Sequence, residues 1–174
     1  MQELERYIRT VQDFPKPGIG FKDITTLLKE PQAFAQVIDL MTAQFRDKKI
    51  QKVVGIESRG FIFGAPLALG LGAGYVPARK PKKLPAATIR EEYALEYGTD
   101  ALEMHVDAIT PGERVVVVDD LLATGGTAAA AGRLVQKLGG TLHGFAFLIE
   151  LDFLSGRKKL YNHEIFTLIH VHAE

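Results

Sequence analysis

Cysteine is absent from the 174 residues. That removes disulfides, thiolate nucleophiles, iron–sulfur clusters and cysteine-based zinc sites together, and it fits a reducing cytoplasm. Net charge is missing too, because 21 Lys and Arg balance 21 Asp and Glu. No bulk field draws such a chain to nucleic acid or to an anionic membrane, so neither is expected as a partner. Any anion site has to be built from local groups. The segment Met1 to Thr10 alternates charged and apolar residues and lacks the apolar stretch of a signal peptide. One uncharged run, Gly60 to Ala78, has the length of a membrane span. It is broken by Pro66, Pro77 and glycines at 60, 64, 70, 72 and 74, and the last three mark a turn between a short buried helix and a short strand. Two phosphate motifs are also missing: there is no Gly-Lys dipeptide, hence no Walker loop, and no GxGxxG follows a strand.

What is present is ordinary for a globular domain, with 47% hydrophobic and 24% charged residues, and disorder as the main state is excluded. The length favours one domain. Leu4, Tyr7, Ile8 and Val11 predict a short helix over Met1 to Val11. Phe14 to Phe21 is a Pro/Gly loop. Pro31 opens a helix whose apolar stripe, Phe34, Val37, Ile38, Met41 and Phe45, faces the core. Lys52 to Ile56 and Tyr75 to Ala78 read as strands around a helix over Gly60 to Leu71. Arg90 to Val106, with Gly98 in its middle, reads as a hairpin or flap. Four consecutive valines, Val115 to Val118, predict a strand buried on both faces. An Ala-rich helix over Gly125 to Leu138 follows, stopped by Gly139 and Gly140, then strands over Leu142 to Ile149 and Ile165 to Val171. Strands alternating with helices predict an α/β fold with a mainly parallel central sheet flanked by helices, whose ligands sit at the carboxyl ends of the strands.

The most informative string is VVVVDDLLATGGT, Val115 to Thr127. A buried strand runs into two adjacent carboxylates, Asp119 and Asp120, read as acids of an exposed loop, and then a small-residue loop opens a helix. Small side chains let the backbone amides of Ala123, Thr124, Gly125, Gly126 and Thr127 approach a phosphate. The helix adds its positive end, and Thr124 and Thr127 add hydroxyls. Carboxylates cannot bind phosphate, so Asp119 and Asp120 belong to something beside it, such as sugar hydroxyls or hydrated magnesium. A phosphate cradle next to a diol binder describes a ribose 5-phosphate site. His170 and His172 share a strand face without a visible third metal ligand and are read as surface or sheet histidines.

These residues resemble the type I phosphoribosyltransferases. VVVVDDLLATGGT is similar to that family's phosphoribosyl-pyrophosphate motif. FPKPGIGFKDIT (Phe14 to Thr25), GIESRGFIFG (Gly55 to Gly64) and LEYG (Leu95 to Gly98) resemble its adenine-specific branch, and the four segments lie in order along most of the chain. The resemblance implies one domain over residues 1–174, with a base-binding segment over about 1–30 and a mobile lid over about 86–106. It implies transfer of a phosphoribosyl group from 5-phosphoribosyl 1-pyrophosphate to adenine, with substrate-bound magnesium, in a cytoplasmic homodimer. Glu57, Ser58 and Arg59 would meet pyrophosphate. So would Arg79 and Lys83 from the basic run Arg79 to Lys83, Arg79 across the dimer interface. Phe21 would stack on the base with Lys22 beside it, while Phe14 is read as core. Glu96 would serve the adenine ring as general acid/base or orienting acceptor, and with Asp119, Asp120 and Arg59 it makes up the implied catalytic set. A non-catalytic sensor of the same ligand would need an effector element, for which the chain has little room. A base other than adenine would be revealed by comparing purines.

Overall fold

A computed structural model describes residues 2–94 and 98–173. Short helix α1 (Gln2–Glu5) leads into an antiparallel pair, β1 (Arg9–Val11) with β2 (Phe21–Asp23). Helices α2 (Thr25–Leu28) and α3 (Pro31–Phe45) follow, then β3 (Lys52–Ile56), α4 (Gly60–Leu71) and β4 (Gly74–Ala78). The hairpin β5 (Thr88–Ala94) and β6 (Thr99–His105) precedes β7 (Arg114–Leu122), α5 (Gly126–Lys137), β8 (Thr141–Leu151) and β9 (Glu164–Val171). The main sheet has five strands in the order β4-β3-β7-β8-β9, and every pairing in it is parallel. This is the α/β architecture expected from the sequence.

The centre of the sheet explains the four valines. Val115, Val116, Val117 and Val118 are each 0% exposed. Val116 and Val118 join the core on the α3 and α4 side, and Val115 and Val117 join the core on the α5 side. A strand with apolar layers on both faces has no place for alternating polar residues. α3 starts at Pro31, as expected, and its stripe is core through Val37, Met41 and Phe45, all 0% exposed. α4 runs to Leu71 despite Pro66 and stops at Gly72, whose φ of 65° carries the left-handed cap. The glycine cluster therefore ends this helix where the sequence placed the turn. Among the described residues no helix is long and apolar enough to cross a membrane.

Three expectations are corrected. The N-terminal helix stops at Glu5, because Arg9, Thr10 and Val11 pair with Asp23, Lys22 and Phe21. The Pro/Gly loop folds β2 back onto this segment, and the β-branched Thr10 and Val11 suit a strand better than a helix end. The valine strand does not stop at Val118 but continues to Leu122, so Asp119 and Asp120 are strand residues. Phe14 is not core: it is 50% exposed and meets Phe21 edge-on with centroids 5.2 Å apart. The hairpin forms as expected, but its arms are tied into the core. Tyr93, Leu102 and Met104 are buried in the α5-side cluster, and Glu91 pairs with Arg133 and Lys137 of α5.

Phe63 lies in the first turn of α4 with no exposed surface and meets Phe34 of α3 edge-on at 6.1 Å. Phe63→Ala should cost about 3–5 kcal/mol through lost contact and the cavity left behind. Urea unfolding checks this, and a midpoint close to that of the wild type would contradict it.

Candidate active site

The sheet order places the site. β3 leads outward to β4 through α4, and β7 leads the other way to β8 through α5. The two helices pack on opposite faces, and a crevice opens between the carboxyl ends of the adjacent strands β3 and β7. Two short connections meet there, residues 57–59 into α4 and residues 123–125 into α5. The approach is close: a Cβ on Gly60 would stand 2.7 Å from the Val118 carbonyl oxygen and 3.1 Å from Asp119 Oδ1. Only a glycine lets the first turn of α4 lie against the end of β7.

Asp120 is 3% exposed, not the solvated loop acid expected. Its Oδ2 lies 3.0 Å from Arg59 Nε, yet that oxygen accepts no aligned hydrogen bond. Asp119 Oδ1 accepts the Asp120 backbone N–H at 2.9 Å. Burial and the neighbouring Asp120 charge hold the Asp119 carboxyl well above the usual carboxylate range. Burial also raises Asp120, although the Arg59 guanidinium opposes the rise. Two acids side by side in a desolvated strand end favour a proton or another positive charge between them. Arg59 supplies part of that charge, and its guanidinium carbon lies 5.4 Å from the centroid of the Phe21 ring. The structure thus joins Phe21, Arg59 and Asp120, which come from three distant parts of the chain.

Asp119 also lines a cavity of about 80 Å³ with Ala123, Thr124, Gly125, Gly126 and Thr127. Gly125 has φ of 78° and caps the start of α5, which is 12 residues long. The five residues assigned to phosphate therefore surround one small space at the positive end of a helix. Gly156, which no reading of the sequence singled out, packs against the backbone of this loop. The Ser155-Gly156 pair after β8 was the turn signal that could have drawn attention to it.

Glu57 and the basic run also meet. The Glu57–Ser58 peptide is cis. The Glu57 carboxylate accepts from Arg79 Nε at 3.1 Å, Arg79 Nη2 at 3.2 Å and the Lys80 backbone N–H at 2.9 Å, while its own N–H donates to the Ala78 carbonyl at 2.9 Å. Burial would raise this carboxyl, but the Arg79 and Lys80 donors outweigh it and hold it below the ordinary range. Lys80 turns to Asp100 and Tyr93 of the hairpin. Lys83 is exposed, and its carbonyl accepts from Arg79 Nη1 at 3.2 Å. Lys22 faces away from the Phe21 ring and donates to Thr10 Oγ1 at 3.0 Å. Glu96 lies outside the described residues. His170 and His172 stack at 6.2 Å, with Nδ1 atoms 3.0 and 2.6 Å from the Asp152 carboxylate oxygens.

Comparison with known proteins agrees with this geometry. Residues 23–173 match the model of the phosphoribosyl transferase domain. The chain is 60% identical over 169 residues to the adenine phosphoribosyltransferase of Solibacter usitatus, covering 97% of this chain and 98% of that one. Among solved structures, the adenine phosphoribosyltransferase of Thermoanaerobacter pseudethanolicus superposes with a TM-score of 0.95 at 53% identity, covering 98% of this chain and 99% of that one. The enzyme from Trypanosoma brucei, solved with AMP, pyrophosphate and ribose-5-phosphate, has a TM-score of 0.89 at 26% identity, covering 97% of this chain and 78% of that one. The chain belongs to the phosphoribosyl transferase domain family, in its adenine phosphoribosyltransferase branch. Phe14 to Lys22 precede the matched domain, so the base-side segment rests on the full-length relatives.

The carboxyl pair has a consequence for stability. Asp119 and Asp120 hold protons more tightly in the fold than in the unfolded chain. Their favourable contribution is full below the ordinary carboxylate range and is lost as pH rises through the raised values. Asp119→Asn should therefore melt a few degrees above the wild type near neutral pH without ligand, with the gap closing toward about pH 4. Thermal melts across that range test this, and a variant less stable than the wild type at every pH contradicts it.

Proposed function

We propose that the chain transfers the 5-phosphoribosyl group of 5-phosphoribosyl 1-pyrophosphate to adenine, giving AMP and pyrophosphate, a purine-salvage reaction. One observation carries the reading. The cradle at the start of α5, the carboxyls of Asp119 and Asp120, and the Arg59–Phe21 pair meet at a single switch point of the sheet. That is the order of groups along a bound nucleotide: phosphate, ribose, base. The amides of Ala123, Thr124, Gly125, Gly126 and Thr127 hold the 5-phosphate, with hydroxyls from Thr124 and Thr127.

Cleavage at the anomeric carbon builds positive charge on the sugar, as in glycoside chemistry. The two carboxyls are costly to ionise alone and become favourable beside a cation. They therefore reward the transition state more than the neutral ground state. Ser58, Arg59 and the start of α4 receive the leaving pyrophosphate, with Arg79 and Lys83 reaching it from the basic loop. Glu57 contributes by holding Arg79. Phe21 stacks on adenine with Lys22 on the same strand, and Glu96 acts on the ring as general acid/base or as an orienting acceptor. Closure over residues 86–106 excludes the water that would capture the sugar cation.

Magnesium would be held through the substrate and water rather than by side chains of this chain, and it would supply positive charge to offset that of the pyrophosphate. The donor set of the chain fits that arrangement. Asp120 is already paired with Arg59. Elsewhere, Glu150, Asp152 and His170 bring three ligand atoms within 4.8 Å of one another, but Glu150 is committed to Arg157. Homodimerisation is proposed through α4. It is apolar around its circumference and leaves Leu69 84% exposed, and Arg79 stands 5.8 Å from the ring of Phe61 on the same helix. Sedimentation showing only monomer at micromolar protein would overturn the dimer. A cytoplasmic location follows from the substrate, since a pyrophosphorylated sugar does not cross a membrane unaided.

AMP formation with adenine, compared with hypoxanthine, guanine and xanthine, tests the reading. A preference for an oxopurine, or binding without turnover, would sink it. Asp120→Asn should lower kcat by about 10²–10³ while leaving the fold intact. Thr127→Val should weaken phosphoribosyl-pyrophosphate binding by about 1–2 kcal/mol through the lost donor. Equilibrium binding and steady-state kinetics measure both, and unchanged affinity in Thr127→Val would argue against the cradle.

A further inference from the structure

The turn after β8 meets the loop assigned to the 5-phosphate backbone to backbone, Gly156 against Ala123 and Gly125. A Cβ on Gly156 would stand 2.1 Å from the Ala123 carbonyl oxygen and 2.9 Å from the Gly125 nitrogen. A Cβ on Gly125 would stand 2.5 Å from the Gly156 carbonyl oxygen. Both glycines are buried, so neither backbone can retreat into solvent to make room. Gly125 already needs glycine for its φ of 78°. Gly156 needs it for contact alone.

The next residue locks this contact. Arg157 donates through Nε to Glu150 Oε1 at 2.9 Å and through Nη2 to Glu150 Oε2 at 2.5 Å, a two-pronged charge-assisted pair. Thr167 of β9 donates to the same Glu150 Oε2 at 3.0 Å, and Arg157 Nη1 donates to the Ile165 carbonyl at 3.4 Å. Glu150 is 4% exposed and lies opposite Leu122, the last residue of β7 before the loop. Leu160, 2% exposed, anchors the other end of the turn in the core.

We infer that Gly156 is a positioning residue for the 5-phosphate loop, and that the Arg157–Glu150 clamp holds it there. A flexible small-residue loop has many conformations, and only one points its amides at a common centre. The cost of ordering such a loop falls on binding unless the fold has already met it. The buttress meets it before the ligand arrives. The inference rests on the reading of residues 123–127 as the phosphate cradle. It adds that the cradle's shape is imposed from a segment that does not touch substrate.

The test uses two ligands that divide the site. Ribose 5-phosphate needs the cradle, whereas magnesium pyrophosphate needs the Arg59 side. Calorimetry on Gly156→Ala should show ribose 5-phosphate affinity reduced about tenfold or more, because displacement on the order of 1 Å is costly at such sites. The KM for phosphoribosyl pyrophosphate should rise in parallel, with pyrophosphate affinity unchanged. Unchanged ribose 5-phosphate affinity, or equal loss for both ligands, would overturn the inference. Should Gly156→Ala fail to fold, Arg157→Gln carries the test. It should weaken ribose 5-phosphate selectively and be partly rescued by Arg157→Lys, and no selective loss overturns the inference. A wild-type protein that binds no ribose 5-phosphate overturns the cradle reading first, and this inference with it.

Discussion

Charge buried at the end of an apolar strand governs this molecule. β7 carries four fully buried valines and then, without leaving the sheet, two carboxyls. Placing Asp119 and Asp120 there costs stability, since burial raises both and the Asp120 charge opposes ionisation of Asp119. The same placement explains the groups around them. Arg59 leans on Asp120, Gly60 is bare so that α4 can approach, and the loop after Leu122 turns at once into α5. A site that is strained when empty and relaxed beside a cation suits a reaction that passes through a sugar cation.

The basic side of the crevice is organised by the opposite means. Arg79 is held by Glu57, and Lys80 by Asp100 and Tyr93. These cations therefore do not collapse onto the carboxyl pair. The hairpin arms belong to this scaffold: Glu103 pairs backbone to backbone with Arg79, and Glu91 ties the hairpin to α5.

Much of this was readable from residue order. The strand over Lys52 to Ile56 and the helix over Gly60 to Leu71 have the bounds the sequence predicts, because a Gly-punctuated apolar run and a left-handed cap are local signals. The small-residue turn that lines a cavity before α5 was equally local, since small residues opening a helix advertise themselves. The failures have one cause. Val11 pairs with Phe21, Phe14 rests on Phe21 instead of in the core, and Asp120 is covered by Arg59. In each case a contact decided the outcome, across one turn for Val11 and Phe14 and across 61 residues for Asp120, and periodicity within a segment does not report contacts.

The sequence alone determined the parallel α/β class, the small-residue loop between a buried strand and a helix, and the absence of thiol chemistry, because these follow from composition and short-range pattern. Tertiary structure alone decided that Asp120 is buried and Asp119 half-buried, that Phe21 and Arg59 share a contact, and that Gly156 packs on a loop some thirty residues earlier. Those facts depend on which strands are neighbours, and strand order is set by packing the whole core at once.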